Sequence, residues 1–154
     1  MDFVSDQLAT GQRFRALTVI DLFSRECVLI EAGTSLPAIK VTEALDKIMT
    51  DRGQRRVITI DNGTEFTSRH FEFWAHQRGI RLDFIAPGRP VENCYIESFN
   101  GKFRDECLSE NWLGSLSSAK QAIEIWRLEY NKNRPHSSLE NLAPEQFVTS
   151  AMGF

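Results

Sequence analysis

The chain has 154 residues, of which 42% are hydrophobic and 25% are charged. This length and composition are expected of one globular domain with one core, and they leave no room for a second complete domain. The formal net charge of −3 means that the chain as a whole does not attract nucleic acid. Any binding of DNA phosphates must come from a local group of positive residues or from a partner.

The cysteines and the hydropathy pattern give no sign of export. Cys27, Cys94 and Cys107 form no C-x-x-C pair, and their odd number favours reduced thiols over disulfide bonds or a zinc site. The apolar runs are far shorter than the roughly 20 residues that span a bilayer, and the N-terminus lacks the segments of an export signal. We therefore expect a cytoplasmic protein without membrane contact.

The first part of the chain has the pattern of three antiparallel strands. Residues 3–4 lead to a turn at Thr10-Gly11, and a β-rich stretch covers residues 14–20. A third short strand follows at residues 27–30. Short connections of this kind are typical of antiparallel neighbours.

Helices and strands then alternate. Apolar residues at positions 41, 44, 45 and 48 have the spacing of a helix, with Pro37 suited to its start and Gly53 to its end. The elements predicted next are a buried strand at residues 57–60, a helix from an N-cap at Thr67 or Ser68 to Gly79, and a strand at residues 81–85.

A loop predicted at residues 87–90 leads to two further helices. Ile96, Phe99 and Phe103 give the first an apolar face, and the second has its own at positions 119, 122, 123, 126 and 130. The order β-β-β-α-β-α-β-α-α predicts an α/β fold with a five-stranded mixed sheet, three antiparallel strands followed by two parallel ones, flanked by helices.

Three acidic residues occupy positions that this fold would bring together. Asp61 follows the buried strand and precedes Asn62-Gly63, so it lies at the carboxyl end of a strand, a usual place for ligand chemistry in open α/β sheets. Asp2 stands at the head of the first strand, on the face opposite Phe3. Glu97 lies on a helix, on the side that also carries Asn93, Asn100 and Arg104.

Converging carboxylates repel one another unless a cation lies among them. Mg²⁺ prefers oxygen ligands, and two such ions about 4 Å apart can activate the attacking oxygen and stabilise the leaving oxygen of an in-line displacement. Asp2, Asp61 and Glu97 therefore predict a metal site for cleavage or transfer of a phosphodiester. The alternatives are a simple turn for Asp61, and a site role for Asp21, whose position is also explained by capping of the following turn.

Five motifs follow one another along the chain: MDFV at residues 1–4, TVIDLFSR at 18–25, DNGTEF at 61–66, IESFNG at 96–101 and YNKNRPHSSL at 130–139. In this order they resemble the integrase-core domain of insertion-sequence DDE transposases. The resemblance covers nearly the whole chain and is closest to the insertion-sequence-three type, which is related to retroviral integrases.

The resemblance implies a ribonuclease-H-like fold in which Asp2, Asp61 and Glu97 are the catalytic triad and bind two Mg²⁺ or Mn²⁺ ions. It also implies hydrolysis or transesterification at transposon ends, where water or a DNA 3′-hydroxyl attacks a phosphodiester without a covalent protein intermediate. The implied partners are the transposon ends, the target DNA and further copies of the chain in an oligomer on DNA.

Several polar residues are candidates for contacts with DNA. Family members carry Lys or Arg seven positions beyond the glutamate, where this chain has Arg104, and a guanidinium offers a bidentate fork to phosphate. The other candidates are Lys102, Asn93, Asn100, Arg134 and His136. Helix capping or solvent exposure explains the two asparagines equally well, and ordinary turn chemistry explains the segment around Pro135.

The chain departs from the family at its start, because members normally carry N-terminal helix-turn-helix segments that bind DNA. We expect residues 1–154 to be the catalytic core without that region and with part of the first strand missing, and a free α-amino group would then add a positive charge beside Asp2. Two alternative functions are a catalytically silent remnant that binds DNA or transposase subunits, and a ribonuclease-H-like nuclease without strand transfer.

Overall fold

Strands and helices alternate along the chain in the computed structural model, which describes residues 1–86 and 90–153. The order is β1 (Asp2–Gln7), β2 (Arg13–Ile20), β3 (Cys27–Gly33), α1 (Ala38–Arg52), β4 (Val57–Ile60), α2 (Arg69–Gln77), β5 (Arg81–Phe84), α3 (Pro90–Phe103), α4 (Leu116–Asn133) and α5 (Pro144–Ala151). A π-helical segment (Arg104–Leu108) continues α3, and a 3₁₀ turn (Ser137–Leu139) precedes α5. Most of the loop predicted at residues 87–90 lies outside the described residues.

The three antiparallel strands form the sheet that the sequence predicted. β1 pairs with β2 so that Asp2 lies opposite Thr18, and β2 pairs with β3 with an irregularity between Val19 and Ile20. Alternating side chains point to opposite faces of a strand, so β2 contributes Ala16 to one core cluster and Leu17 to another. One cluster includes residues of α3 and α4, and the other includes residues of α1, α2 and β4. Helices therefore cover both faces of the sheet.

The single five-stranded mixed sheet is the part of the fold prediction that the structure does not reproduce. β4 and β5 pair in parallel as predicted, but they form a separate two-stranded sheet. The Met1 amino group donates a hydrogen bond to the Thr59 carbonyl at 2.9 Å, which links the sheets. A shared ladder needs several facing residues, and here β4 ends where β1 begins, so the overlap is too short for the two strands to pair.

The helix ends follow the predicted signals. Pro37 and Gly53 flank α1, and Gly53 has φ of +83°. The Ser68 hydroxyl caps α2 by accepting a hydrogen bond from the Phe71 N–H. The π-helical segment, the 3₁₀ turn and α5 were not predicted. None of the helices that the structure describes combines the length and hydrophobicity needed to cross a bilayer.

Aromatic side chains pack α3 against α4, as their predicted apolar faces indicated. Phe99 meets Tyr130 edge to face with ring centroids 5.1 Å apart, and Phe103 lies 5.4 Å from Trp126. Such pairs contribute about 0.5–1.5 kcal/mol each beyond the area that they bury. This packing fixes the orientation of the helix that carries Glu97.

A buried amide joins α4 to the edge of the three-stranded sheet. The Asn131 side chain accepts a hydrogen bond from the Cys27 N–H at 2.8 Å and donates one to the Cys27 carbonyl at 2.9 Å. Both polar groups of the Cys27 backbone are thereby satisfied where water does not reach, since both residues are buried. Asn131 belongs to the YNKNRPHSSL motif, so part of that motif has a structural role.

Replacing Asn131 by Ala should destabilise the fold strongly. The substitution leaves the buried Cys27 N–H without its side-chain partner, whereas the Cys27 carbonyl keeps its hydrogen bond from Arg127 at 2.9 Å, so we expect the free energy of unfolding in urea to fall by roughly 1–3 kcal/mol. Asn133→Ala is the matched control, because Asn133 is exposed at the end of the same helix, and its effect should stay within about 0.5 kcal/mol. Equal losses in the two variants would contradict this role.

Candidate active site

Asp2 is a half-buried carboxylate that the protein holds on both of its oxygens. The backbone N–H of Phe3 donates to Oδ1 at 2.7 Å, and the Asn100 amide donates to Oδ2 at 2.9 Å. Burial raises the pKa of Asp2 above its usual range, and the Asp61 carboxylate adds to this rise, whereas the two hydrogen bonds oppose it. The carboxylate is therefore fixed in place, and burial and the Asp61 charge both disfavour its ionised form.

A hydrogen-bond chain through the protein interior fixes Asn100 itself. The Thr18 hydroxyl donates to Asn100 Oδ1 at 2.8 Å and also lies 3.2 Å from the Asp2 carbonyl oxygen. Thr18 is fully buried and Asn100 nearly so. Because the amide oxygen accepts from Thr18, its nitrogen must face Asp2, and α3 is tied to β1 and β2 at this point.

Asp61 lies directly after β4, as the sequence predicted, and it forms a turn with Gly63. The Gly63 N–H donates to Asp61 Oδ1 at 2.9 Å. A Cβ at position 63 would lie 2.9 Å from that oxygen, which is closer than such atoms approach, so glycine is required for the carboxylate to keep this position. The turn and a site role are compatible, since Oδ2 keeps its lone pairs for another ligand.

The Met1 amino group lies near both Asp2 and Asp61. Burial lowers the pKa of this amino group to about 6, and the nearby Asp2 and Asp61 carboxylates oppose that shift. Burial therefore opposes the positive charge expected beside Asp2. The two carboxylates also act on each other, because Asp61 contributes to the raised pKa of Asp2.

Glu97 is exposed on α3, one turn before Asn100 on the same side of the helix. The Asn93 amide donates to Glu97 Oε1 at 3.0 Å. Asn93 also lines a cavity of about 260 Å³ together with Met1 and Thr59, which places this part of α3 beside the end of β4. Within residues 1–86 and 90–153, no three His, Cys, Asp or Glu side chains are close enough together to hold a metal ion.

The chemistry of these groups suits a hard divalent cation. All three side chains offer carboxylate oxygens, and the raised pKa of Asp2 reflects repulsion and burial that a cation would relieve. Asp21, the competing acid, accepts hydrogen bonds from the Phe23 and Ser24 N–H groups at 2.9 and 3.1 Å, which is the turn-capping role that the sequence also indicated.

The predicted DNA contacts lie in two places. Arg104 begins the π-helical segment and donates to the Ser5 carbonyl at 3.1 Å on an exposed surface. Lys102, Arg134 and His136 line one pocket on the other side of α3, where Arg134 pairs with Glu106.

Two residues of the site, Thr18 and Gly63, had no role assigned from the sequence. Thr18 interrupts an apolar run, and a polar residue inside a buried strand needs a hydrogen-bond partner, which is the signal that would have identified it. For Gly63, the sequence indicated a turn but could not show how close its Cα comes to the Asp61 carboxylate.

Comparison with protein families gives two overlapping matches. A model described as an integrase core domain matches residues 1–90, and a second model with the same description matches residues 78–144. The two matches together extend from the first residue of the chain to the start of α5.

Relatives from bacterial insertion elements match nearly the whole chain. An uncharacterized protein of insertion element IS476 from Xanthomonas euvesicatoria is 49% identical over 150 residues, which is 97% of this chain and 43% of the relative. A protein of insertion element IS407 from Burkholderia multivorans is 46% identical over 148 residues, 96% of this chain and 53% of the relative. Transposase InsF for insertion sequence IS3A of Escherichia coli is 26% identical over 132 residues, covering 84% and 46%. The chain spans about half the length of these relatives.

Solved structures of integrases have the same fold. The HTLV-2 integrase catalytic core domain in complex with magnesium, in its trimeric form, matches with a TM-score of 0.76 at 16% identity, covering 95% of this chain and 91% of that one. A chain of the simian T-cell lymphotropic virus intasome in complex with PP2A regulatory subunit B56 gamma matches with a TM-score of 0.79 at 16% identity, covering 95% and 51%. The ribonuclease-H-like fold implied by the sequence resemblance is thereby confirmed.

Protonation of His136 should make the fold less stable in mild acid. Burial lowers the pKa of His136 to about 4 from 6.5, with contributions from Lys102, Arg134 and Arg25. Between pH 6.5 and 4, His136 therefore binds a proton in the unfolded chain but not in the folded chain. The contribution of His136 to the free energy of unfolding is complete above pH 6.5 and is lost as the pH drops from 6.5 to 4.

This dependence can be measured by urea unfolding across that range. The part due to His136 should have a slope on the order of 1 kcal/mol per pH unit, and His136→Phe should remove it while keeping the ring contact with Tyr130. His76→Phe, at an exposed position, should retain the slope. An unchanged pH profile in His136→Phe would contradict the lowered pKa.

Proposed function

This chain belongs to the integrase core domain family, and on that premise we propose that it is the catalytic core of an insertion-sequence DDE transposase. The proposed reaction is cleavage of phosphodiester bonds at transposon ends followed by strand transfer into target DNA. Residues 1–154 would form this core alone, as one part of a longer transposase like the relatives that it matches.

The observation that carries the proposal is the proximity of the Asp2 and Asp61 carboxylates. The two carboxylates lie where β1 begins and β4 ends, they influence each other electrostatically, and α3 is attached beside them through Asn100. An arrangement that holds two acids together and raises the pKa of one is costly for a purely structural site. It is the arrangement expected of residues that bind a cation.

We propose that Asp2, Asp61 and Glu97 hold two Mg²⁺ or Mn²⁺ ions. When bound, the ions supply activation of the attacking oxygen and stabilisation of the leaving oxygen of the phosphodiester. The protein's own contribution is to position the ligands. The Asn100 amide orients Asp2, the Gly63 N–H orients Asp61, and the Asn93 amide holds Glu97.

The same hydrogen bonds assign the asparagines as positioning residues. Asn100 is buried and its amide is engaged by Thr18 and Asp2, which favours positioning over the DNA contact predicted from the sequence. Arg104 remains our candidate for a contact with a DNA phosphate, because its guanidinium is exposed and donates to one carbonyl only among the described residues. DNA and further copies of the chain are the proposed partners, in line with the intasome and the trimeric form among the related structures.

Glu97→Gln should abolish metal-dependent DNA cleavage without unfolding the chain. The amide keeps the size of the side chain but removes the negative charge that ligates a cation. The assay is nicking of supercoiled plasmid in Mn²⁺, which needs no knowledge of the cognate ends, together with detection of joined product. Glu110→Gln, at an exposed position, is the control and should retain activity. Cleavage by Glu97→Gln at the rate of the unaltered chain would contradict the proposal, and cleavage without joined product would indicate a nuclease.

Calorimetric titration of Mn²⁺ tests the metal ligands without DNA. Asp61→Asn should lose measurable binding, whereas Asp83→Asn on the exposed side of β5 should not. Gly63→Ala should weaken binding by roughly tenfold, because the added methyl group displaces the Asp61 carboxylate. Gly101→Ala, where a Cβ meets nothing within 4 Å, is the matched glycine control. Equal affinity in Gly63→Ala and Gly101→Ala would show that the turn does not position Asp61.

A further inference from the structure

A second polar pocket lies on the side of α3 that faces away from Glu97. It has a volume of about 270 Å³ and is formed by α3, the end of β2 with the turn before β3, and the end of α4 with the segment that follows it. Its polar lining residues are Arg25, Tyr95, Ser98, Lys102, Tyr130, Arg134, His136, Ser137 and Ser138. None of the described lining residues is an aspartate or a glutamate.

The charge of this pocket is positive although the chain as a whole is negative. Arg134 is neutralised by Glu106, but within the described residues neither Arg25 nor Lys102 forms an ion pair. The Arg25 guanidinium lies 3.7 Å above the Tyr95 ring and also donates to the Leu22 carbonyl. The aromatic ring and the carbonyl hold this cation in place without cancelling its charge by a carboxylate.

The hydrogen bonds of the pocket wall are incomplete. Two buried side-chain nitrogen atoms of the described residues find no partner, Arg25 Nε and His136 Nε2, and both belong to residues that line this pocket. Buried polar atoms are nearly always paired, because an unpaired one loses its hydrogen bonds to water and gains none within the protein. Because both atoms are themselves buried, they are not accessible from the pocket, and they show only that Arg25 and His136 are packed tightly into its wall.

The backbone conformation of Arg25 also indicates that this residue is held in place. Arg25 has φ of +59°, in the left-handed region that residues with a side chain seldom occupy. Strained conformations of this kind persist where the surrounding contacts hold the residue in place. Here the strain places the guanidinium over Tyr95, beside the pocket.

The pKa of His136 reflects the cations that lie near its ring. Lys102 from α3, Arg134 from the end of α4 and Arg25 from the turn before β3 all act to lower its pKa, together with burial. Three cationic side chains therefore line one pocket, and of these Arg134 is paired with Glu106. Arg25 and Lys102 leave the pocket with positive charge that favours an anion.

We propose that this pocket binds a backbone phosphate of the DNA strand on which the core acts. A phosphate offers oxygen acceptors to the Lys102 ammonium, to the guanidinium of Arg25 and to the hydroxyls of Ser98, Ser137 and Ser138. Tyr95, Ser98 and Lys102 lie roughly 100–160° around α3 from Glu97, so one helix separates the pocket from the metal ligands. A strand crossing α3 would present one phosphate to Glu97 and another, further along its backbone, to the pocket. This inference rests on the proposed function.

DNA binding without divalent ions tests the pocket separately from catalysis. The probe is a fluorescein-labelled 20-base-pair DNA duplex, and the readout is anisotropy in EDTA as the salt concentration is varied. Lys102→Met should weaken binding roughly tenfold at low salt and reduce the slope of log K against log salt by about one. Lys120→Met removes an exposed lysine from α4 outside the pocket and should leave the affinity within about twofold.

Arg25→Gly provides a second variant that keeps the fold. Glycine adopts positive φ readily, so the backbone strain is relieved while the guanidinium is removed. We expect an unchanged circular dichroism spectrum and a loss of DNA affinity comparable to that of Lys102→Met. Unaltered DNA affinity and salt slope in both variants would overturn the proposal, even if Mn²⁺-dependent cleavage were intact. Lost affinity in a chain that never cleaves DNA would instead support the pocket and count against the proposed function.

The source of the phosphate is settled by competition. Inorganic phosphate should shift the NMR signals of the His136 ring, and the unlabelled duplex should displace it with the affinity measured by anisotropy. A shift with inorganic phosphate that the duplex leaves unchanged would mean that the pocket takes a small phosphorylated ligand, and it would overturn the assignment to DNA.

Discussion

The hydrogen-bond chain from Thr18 through Asn100 to Asp2 is the interaction on which the site depends. It joins the middle of β2, the interior side of α3 and the first residue of β1 by side chains of which two are buried. Each member is fixed by its neighbours, since an amide whose oxygen accepts from a threonine must turn its nitrogen to the carboxylate. The register of α3 on the sheet is thereby set, and with it the position of Glu97.

The rest of α3 is arranged around that constraint. Phe99 and Phe103 attach the helix to α4. Glu97 is exposed on the side of Asn100, and Lys102 lies on the side that lines the second polar pocket. Three different kinds of surface on one helix explain its mixed composition, in which no single apolar stripe dominates. They also put local positive charge on one flank of the helix, although the chain has a net charge of −3.

The sequence predicted the elements well because their signals are local. Pro37, Gly53 and Ser68 mark helix ends by their own backbone chemistry, and the alternating pattern of residues 14–20 identifies a strand without knowledge of its partners. The sequence also put Asp61 directly after β4 and Glu97 on α3, where the structure has them, and their metal-binding role stays a prediction. The division into two sheets was not predictable, because strand pairing depends on how far β1 and β4 overlap in space. Nor were Thr18 or Arg25, whose roles arise from contacts with residues more than 60 positions away.

The most direct test of the metal-binding role is anomalous diffraction from crystals of this chain soaked in Mn²⁺. We expect a manganese peak about 2.1 Å from carboxylate oxygens of both Asp2 and Asp61, and no such peak in crystals of Asp61→Asn. Saturating Mn²⁺ that leaves these two carboxylates without a peak, or that binds only at other acidic residues, would contradict the proposal that Asp2 and Asp61 form a catalytic metal site.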